Sequence, residues 1–434
     1  MQYFSLGSPN ERYSLKEVLF RGLAPDGSLF MPEEIPVLPD AFFDELPGMS
    51  LDEIAFHVLK PYVSADVEDN ILKRIVTETF SFDIPLQKVE NGIWALELYH
   101  GPTQAFKDVG ARFLSSLLGH FNQGESKKLM VLTATSGDTG GAVANGFHNI
   151  PGIEVVILYP YKKVSPYQEH QMTSPGGNVH AIAVNGSFDD CQRLVKIAFN
   201  DEDLRSKVYM TSANSINMGR LLPQMVYYFQ AVAQLRRQAI EEAPVLVVPS
   251  GNFGNITAAM LAHKMGLPVK RFIAATNAND VVPRFLTSGA YEPLQTIPTI
   301  ANAMDVGDPS NFSRLYYLYA NDISRMRQVM SSFSVTDDQI RQTIQSAYKE
   351  YGYVMDPHTA SAFFILKHHV LTNETGVFVS TAHPFKFNEV MDELLPNGLK
   401  QAGYEIEFEA SANKQESVIE SEFEEFKQRI EKMA

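Results

Sequence analysis

From residue 129 onward the chain alternates short apolar, β-branched runs with longer amphipathic stretches. The apolar runs fall at 129–135, 155–159, 179–184, 245–248, 271–276 and 377–381. Helical patterning fills most of the gaps between them, as at 140–147, 187–199 and 256–265. A strand wet on one face alternates apolar and polar residues. Runs without that alternation predict strands buried on both faces, the mark of parallel sheets covered by helical crossovers. The expected class is therefore α/β with open parallel sheets. In such folds ligands bind beyond the carboxyl ends of the strands, so the loops after strands are the places to search.

The flanks are patterned differently. Residues 1–92 predict a mostly helical region with short extended pieces, with Ser14 and Ser50 as N-caps and turn chemistry at 24–32. No residue there suggests chemistry. Between 282 and 340, Pro283, Pro293, Pro298 and Pro309 interrupt the periodicity. The polar stretch 300–311 within it reads either as a solvated connector or as a loop bordering a site. At the end of the chain, Ile419, Phe423, Phe426 and Ile430 recur at helical spacing and predict an amphipathic helix over 418–430.

Composition narrows the function. A chain of 434 residues, 45% hydrophobic and 20% charged, is expected to fold as two or three globular domains. A net charge of −15 argues against nucleic acid as a partner, though not against a small anion held by a few local groups. Cys191 is the only cysteine, so no intrachain disulfide can form and a reducing compartment is expected. Its setting, Phe188-Asp-Asp-Cys-Gln-Arg-Leu-Val195, reads as a helix with the thiol as apolar filler. The N-terminal residues lack a signal-peptide pattern, and no apolar run is long enough to span a bilayer. A soluble cytoplasmic protein is the expectation.

The candidate chemistry centres on Lys107, in His100-Gly-Pro-Thr-Gln-Ala-Phe-Lys-Asp-Val-Gly-Ala-Arg112. A lysine at a loop-to-helix junction, partly desolvated and near another cation, loses its proton more readily and serves as nucleophile or base. Taken alone it reads equally as a surface lysine on a first helical turn. Four loops after strands change its weight. Thr135-Ser-Gly-Asp-Thr-Gly-Gly141 opens a helix with more glycine than a cap requires, which suggests close approach of a ligand, with Thr135, Ser136, Asp138 and Thr139 at hand. Ser250-Gly-Asn-Phe-Gly-Asn255 gathers N–H donors at a helix start, suited to a phosphate held by neutral groups. It lacks the glycine spacing of a dinucleotide fingerprint and the lysine of a P-loop. Ser212-Ala-Asn-Ser-Ile-Asn-Met-Gly-Arg220 brings Asn214, Ser215, Asn217 and Arg220 close together, with a guanidinium able to grip an oxyanion. Thr381-Ala-His-Pro-Phe-Lys-Phe387 presents a hydroxyl at a strand end and a histidine, His383, read as structural.

These five stretches, in this order, resemble the threonine synthase family of pyridoxal 5′-phosphate enzymes (fold type II, tryptophan synthase β-like) across nearly the whole chain. Ser380 departs from the glycine usual there before Thr-Ala-His-Pro. The resemblance implies two open parallel-sheet lobes with an extra N-terminal, mostly helical region. It divides the chain into residues 1–92, a catalytic core 93–400 with a smaller mobile lobe at roughly 108–225, and a C-terminal helical extension 401–434. It implies that Lys107 carries the cofactor, that Ser250, Gly251, Asn252, Phe253, Gly254 and Asn255 cradle its phosphate, and that Thr381 meets its ring nitrogen. Asp138 and Ser136 would lie near the ring oxygen or the substrate carboxylate. Thr135 and Thr139 would join them at the substrate, whose phosphate would fall to Asn214, Ser215, Asn217 and Arg220.

The implied reaction takes O-phospho-L-homoserine and water to L-threonine and phosphate, by γ-elimination and β-addition of water, with Lys107 as base. A serine/threonine dehydratase or phosphoamino-acid lyase of the same fold is the rival, and Asn214 and Arg220 favour a phosphorylated substrate. A catalytically silent scaffold would be expected to have lost Lys107, Asp138 or Thr381. A monomer or homodimer is expected, without nucleic acid or membrane partners.

Overall fold

In the computed structural model, which describes residues 1–124, 128–404, 406, 408 and 417–433, the apolar runs become the central strands of two sheets. In chain order the strands are β1 (Tyr3–Ser5), β2 (Phe30–Pro32), β3 (Leu86–Glu90), β4 (Ile93–Glu97), β5 (Leu129–Ala134), β6 (Ile153–Pro160) and β7 (Val179–Asn185). They continue with β8 (Tyr209–Ser212), β9 (Val245–Pro249), β10 (Arg271–Thr276), β11 (Met330–Ser334), β12 (Gly376–Ser380) and β13 (Ser417–Glu420). The larger sheet has the order β11-β10-β9-β12-β4-β3, and the smaller β13-β7-β6-β5-β8. Every pairing in both sheets is parallel except β3 with β4. β5, β9 and β12 are buried at every position, which is why their sequences show no polar alternation. Each buried aliphatic side chain in such a strand contributes roughly 1.5–3 kcal/mol.

The N-terminal region packs as a cap of helices around the short antiparallel pair β1–β2. Its helices start where the hydroxyls predict. Ser14 with Glu17 forms a capping box on Leu15–Arg21, and Ser50 with Glu53 forms one on Leu51–Val63. The last turn of the first helix is tied to the core, because the Thr211 hydroxyl and the Asn217 amide both donate to the Leu19 carbonyl, at 2.8 and 2.9 Å.

Two expectations need correction. The C-terminal segment is not helical from Val418. Ser417–Glu420 is strand β13, parallel to β7, and the helix runs from Phe423 to Met433. Ile419 is buried from the strand, while Phe426 and Ile430 are buried from the helix, so one apolar spacing spans two elements. The rest of the extension predicted over 401–434 includes 405, 407, 409–416 and 434, which lie outside the described residues. The stretch 282–340 is also more regular than its prolines suggest, with helices at Val281–Ser288, Phe312–Tyr317 and Ile323–Val329 and the edge strand β11. Pro283 sits in the first turn of its helix, where no N–H is needed. Ser380, the departure from glycine, lies in regular strand, and its hydroxyl meets that of Thr359 at 3.2 Å.

Candidate active site

The loops after β5, β8, β9 and β12 border one cavity of about 760 Å³, and Lys107 lines it. The segment from β4 to Lys107 is pinned on both sides. The Phe106 N–H donates to the Thr381 carbonyl at 2.9 Å, and the Tyr227 hydroxyl donates to the Phe106 carbonyl at 2.5 Å. Lys107 then opens the helix Lys107–Phe121 with its side chain 15% exposed and its Nζ 4.0 Å from Asp138 Oδ2. Burial pushes the Lys107 amine below the ordinary lysine value; Asp138 opposes that shift, while Lys386 and Arg220 add to it.

Asp138 begins the helix Asp138–Phe147 and is itself buried. Its Oδ1 accepts from Gln168 Nε2 at 3.0 Å and pairs with Lys386 Nζ at 3.0 Å. Burial alone would raise its carboxyl, but the charges of Lys386 and Lys107 and the Gln168 bond outweigh it and hold the group well below the usual carboxylate range. Lys386 is fully buried and also donates to the Thr103 carbonyl at 2.7 Å and to Gln171 Oε1 at 2.9 Å. It stands inside the quoted 381–387 stretch, yet its role had no sequence signal, because nothing in the order of residues shows it reaching Asp138. Asp108, next to Lys107, accepts from the Thr103 N–H and hydroxyl and so secures the loop, while Arg112 donates to the Glu78 carbonyl and ties its helix to the helix Asp69–Thr79.

The glycines of 135–141 serve packing. A Cβ on Gly137 would come within 2.5 Å of Gln168, and one on Gly141 within 3.0 Å of Gln171. The surplus glycine therefore admits the helix Pro166–Thr173 against this turn. Thr135, expected at the substrate, accepts from the Gly137 and Gly140 N–H groups at 2.9 Å each and closes the turn. Thr135, Ser136 and Thr139 all line the cavity.

Residues 250–255 line the cavity as a group. Phe253 is left-handed (φ 58°) and turns the chain into the helix Gly254–Lys264. The first main-chain bond of that turn runs from Thr257 to the Phe253 carbonyl, so the N–H groups of Gly254, Asn255 and Ile256 have no acceptor within the helix. Asn255 Nδ2 is buried without a hydrogen-bond partner among the described residues. Gly251 passes so close to the opposite wall that a Cβ would lie 2.7 Å from Met304 Cα. Free donors in a close-walled glycine turn fit a phosphate group. Ser250 contributes less than expected, since its N–H and hydroxyl donate to the Ala275 and Val248 carbonyls. Asn252 Oδ1 accepts from the Ser310 N–H at 3.3 Å.

Arg220 lines the same cavity, 3% exposed. Its Nη1 donates to the Ala213 carbonyl at 2.5 Å, Nε has no partner, and no carboxylate pairs with it among the described residues. Burial pushes the guanidinium down to about 10. Asn214 uses one amide hydrogen on the Ala134 carbonyl and keeps the other, and Ser215 meets Asn311 Nδ2 at 3.4 Å. Asn217 is not at the cavity. It is fully buried, donates to the Leu19 and Ser212 carbonyls and accepts from the Gly219 N–H, so it caps the helix Met218–Leu221.

Thr381 lines the cavity at the end of β12, its N–H donating to the Thr359 hydroxyl at 3.2 Å. His383 accepts from the Phe385 N–H, and burial lowers it to about 4, in keeping with a structural role. Cys191 is buried, its thiol pushed up to about 12. Of the two readings of 300–311, the bordering loop is observed, with Asn302 to Asp308 in the wall. Leu6, Leu23 and Gly27 to Leu29 also line the cavity, so the N-terminal region contributes a wall that its bland sequence did not suggest.

Residues 77–382 match the family described as pyridoxal-phosphate dependent enzyme, and residues 2–80 match threonine synthase N terminus. The chain is 43% identical over 395 residues to the threonine synthase of Serratia marcescens, spanning 91% of each chain. Its fold is similar to the crystal structure of threonine synthase from Escherichia coli (TM-score 0.90, 39% identity, 100% of each chain). It is also similar to a PLP-bound threonine synthase from Brucella melitensis (TM-score 0.89, 32% identity, 100% of this chain and 99% of that one). A cavity that joins a largely buried lysine to a glycine turn with free N–H donors, in a chain that matches along both of its parts, is explained by one assignment: the chain belongs to the pyridoxal-phosphate-dependent threonine synthases.

Proposed function

We propose that this cavity converts O-phospho-L-homoserine and water to L-threonine and phosphate, with Lys107 as cofactor anchor and base. The observation that carries the reading is one cavity lined both by a largely buried amine facing Asp138 and by Arg220, a buried guanidinium without a carboxylate partner among the described residues. Bound pyridoxal phosphate supplies the electron sink that makes the α-hydrogen of an amino acid acidic. The N–H groups of 251–255 and the Asn255 amide would hold its phosphate, and Thr381 would offer a hydroxyl to its ring nitrogen.

Lys107 Nζ then moves the protons. An amine kept below the ordinary lysine value by burial is deprotonated near neutral pH more often than a surface lysine, and it takes the proton from Cα and next from Cβ. Asp138 stays ionised and orients that amine. Arg220, with the spare amide hydrogen of Asn214 and the hydroxyl of Ser215, holds the γ-phosphate and the charge that collects on it as it leaves. A neutral hydroxyl at Thr381 does not keep a ring nitrogen protonated, so these fixed donors carry a larger share of the stabilisation. Among the described residues no helix is long and apolar enough to cross a membrane.

The experiment is Lys107→Ala with two readouts. The visible absorbance of the purified protein disappears, and activity falls by about a thousandfold or more, in line with loss of a covalent and base role. Incubating wild type separately with O-phospho-L-homoserine, L-serine and L-threonine yields threonine and phosphate from the first alone. Ammonia from serine or threonine without threonine synthesis replaces this reading with that of a dehydratase.

A further inference from the structure

A second lysine stands behind the first. Lys386 has no exposure, and its ammonium makes three contacts: Asp138 Oδ1 at 3.0 Å, Gln171 Oε1 at 2.9 Å and the Thr103 carbonyl at 2.7 Å. Asp138 is thus shared, one oxygen toward Lys386 and Gln168, the other 4.0 Å from Lys107 Nζ. A fully buried ammonium is costly, and its structural contacts could be met by a neutral donor. What a neutral donor could not supply is charge. With two cations on one carboxylate, the cluster Lys107–Asp138–Lys386 carries an excess proton, and Lys107 is the partly exposed member, with the longer contact.

We propose that Lys386 is a positioning residue that sets the protonation of Lys107 through Asp138: its charge occupies the carboxylate, so that Lys107 is the group that gives up its proton. The other charged groups around the cluster do not replace it. Arg220 acts on Lys107 in the same sense, which adds to the effect. Asp108 faces Lys386, and burial raises its carboxyl. His383, also facing Lys386, is kept neutral by burial near neutral pH. The remaining neighbours of Asp138 and Lys386, Gln168, Gln171 and Thr103, are neutral. Gln171 Nε2 also donates to the Thr103 carbonyl at 3.2 Å, so the network ties the loop before Lys107 to the helix Pro166–Thr173 and to 386.

The proposal rests on Lys107 being the reactive amine, and its test is separable from the test of that reading. Full-length protein stripped of cofactor is treated with trace acetic anhydride across a range of pH, and acetylation of the peptide carrying Lys107 is followed by mass spectrometry. In Lys386→Gln, Asp138 serves Lys107 alone. The amine then titrates at higher pH and is acetylated about tenfold more slowly near neutral pH, the change expected of one lost charge at this range. Unchanged or faster acetylation in folded Lys386→Gln overturns the proposal. Should that variant not accumulate as folded protein, Lys386→Arg carries the test, because it keeps the charge while altering the three contacts. A Lys107 titration at the wild-type pH supports the proposal even where kcat has fallen. A titration displaced upward shows that the hydrogen bonds and not the charge set the amine, and overturns it. Loss of cofactor attachment in Lys107→Ala bears on the anchor alone and leaves this result independent.

Discussion

Arg220 shows how a side chain's function is set by what it lacks. A buried guanidinium normally finds a carboxylate, because the cost of removing it from water is several kcal/mol. Here it has the Ala213 carbonyl and an unpartnered Nε. That arrangement leaves a buried donor open toward the cavity, where the proposed γ-phosphate would complete it. Arg220→Met is expected to lower kcat/KM for O-phospho-L-homoserine thirty- to a hundredfold, the equivalent of about 2–3 kcal/mol for one charge-assisted contact. Arg220→Lys recovers only part of that, since one ammonium cannot both hold the carbonyl and face the anion. A change under about threefold in the Met variant, measured by phosphate release, assigns the phosphate to other groups. At this scale residue type and strand-end position sufficed to pick out residues that line one cavity, as with Lys107, Arg220 and 250–255. The sequence was misleading at Asn217, whose amide suits a phosphate equally well but is spent on the Leu19 and Ser212 carbonyls. It was silent on Lys386, whose partner lies far away in sequence at Asp138.

Elements were legible in proportion to how completely they are buried. β5, β9 and β12 are covered on both faces and read as unbroken apolar runs. β11, Met-Ser-Ser-Phe-Ser, is an edge strand with partly exposed positions, and its composition resembles a loop. β13 was absorbed into a helix because Ile419 lies four residues before Phe423, a spacing that a strand followed by a turn can also produce. The consequence is physical: the C-terminal segment covers the edge of β7, and does not merely lie against the outside of the core. The helix Phe423–Met433 anchors that strand through Phe426 and Ile430, both fully buried. Phe426→Ala is expected to cost about 3–5 kcal/mol locally, from lost burial plus the cavity left behind. Limited proteolysis reads this directly, with cleavage near residues 417–433 becoming much faster than in wild type while the rest of the chain stays protected. Equal cleavage rates would show that β13 is held by its ladder alone.

For the molecule as a whole, the question is how a helical N-terminal region with no chemistry of its own comes to wall a cavity built by two sheets. Arg314 supplies the connection. It is fully buried, and its Nε donates to the Phe30 carbonyl at 2.9 Å, Nη2 to the Ile216 carbonyl at 2.7 Å and Nη1 to Asn311 Oδ1 at 2.8 Å. One side chain thus joins β2, the segment that carries Ser215, and the loop that carries Asn311. Asn311 extends the chain of contacts, its N–H donating to the Asn252 carbonyl at 3.2 Å and its amide meeting Ser215. The turn at 250–255, the segment that carries Ser215 and the N-terminal region are therefore held in register through two residues. Burial pushes the Arg314 guanidinium down to about 9, and no carboxylate pairs with it among the described residues, so it adds a second uncompensated positive charge behind the cavity. Arg314→Met leaves three buried acceptors without their donor, and at roughly 1–3 kcal/mol each the loss is about 3–5 kcal/mol after relaxation. The expected result is a lower urea midpoint, faster proteolysis within residues 1–40, and a KM for O-phospho-L-homoserine raised more than kcat is lowered, because the phosphate segment loosens while Lys107 is untouched. A variant with the lower midpoint but wild-type KM would confine Arg314 to stability, and leave Arg220 and Ser215 positioned by their own loop.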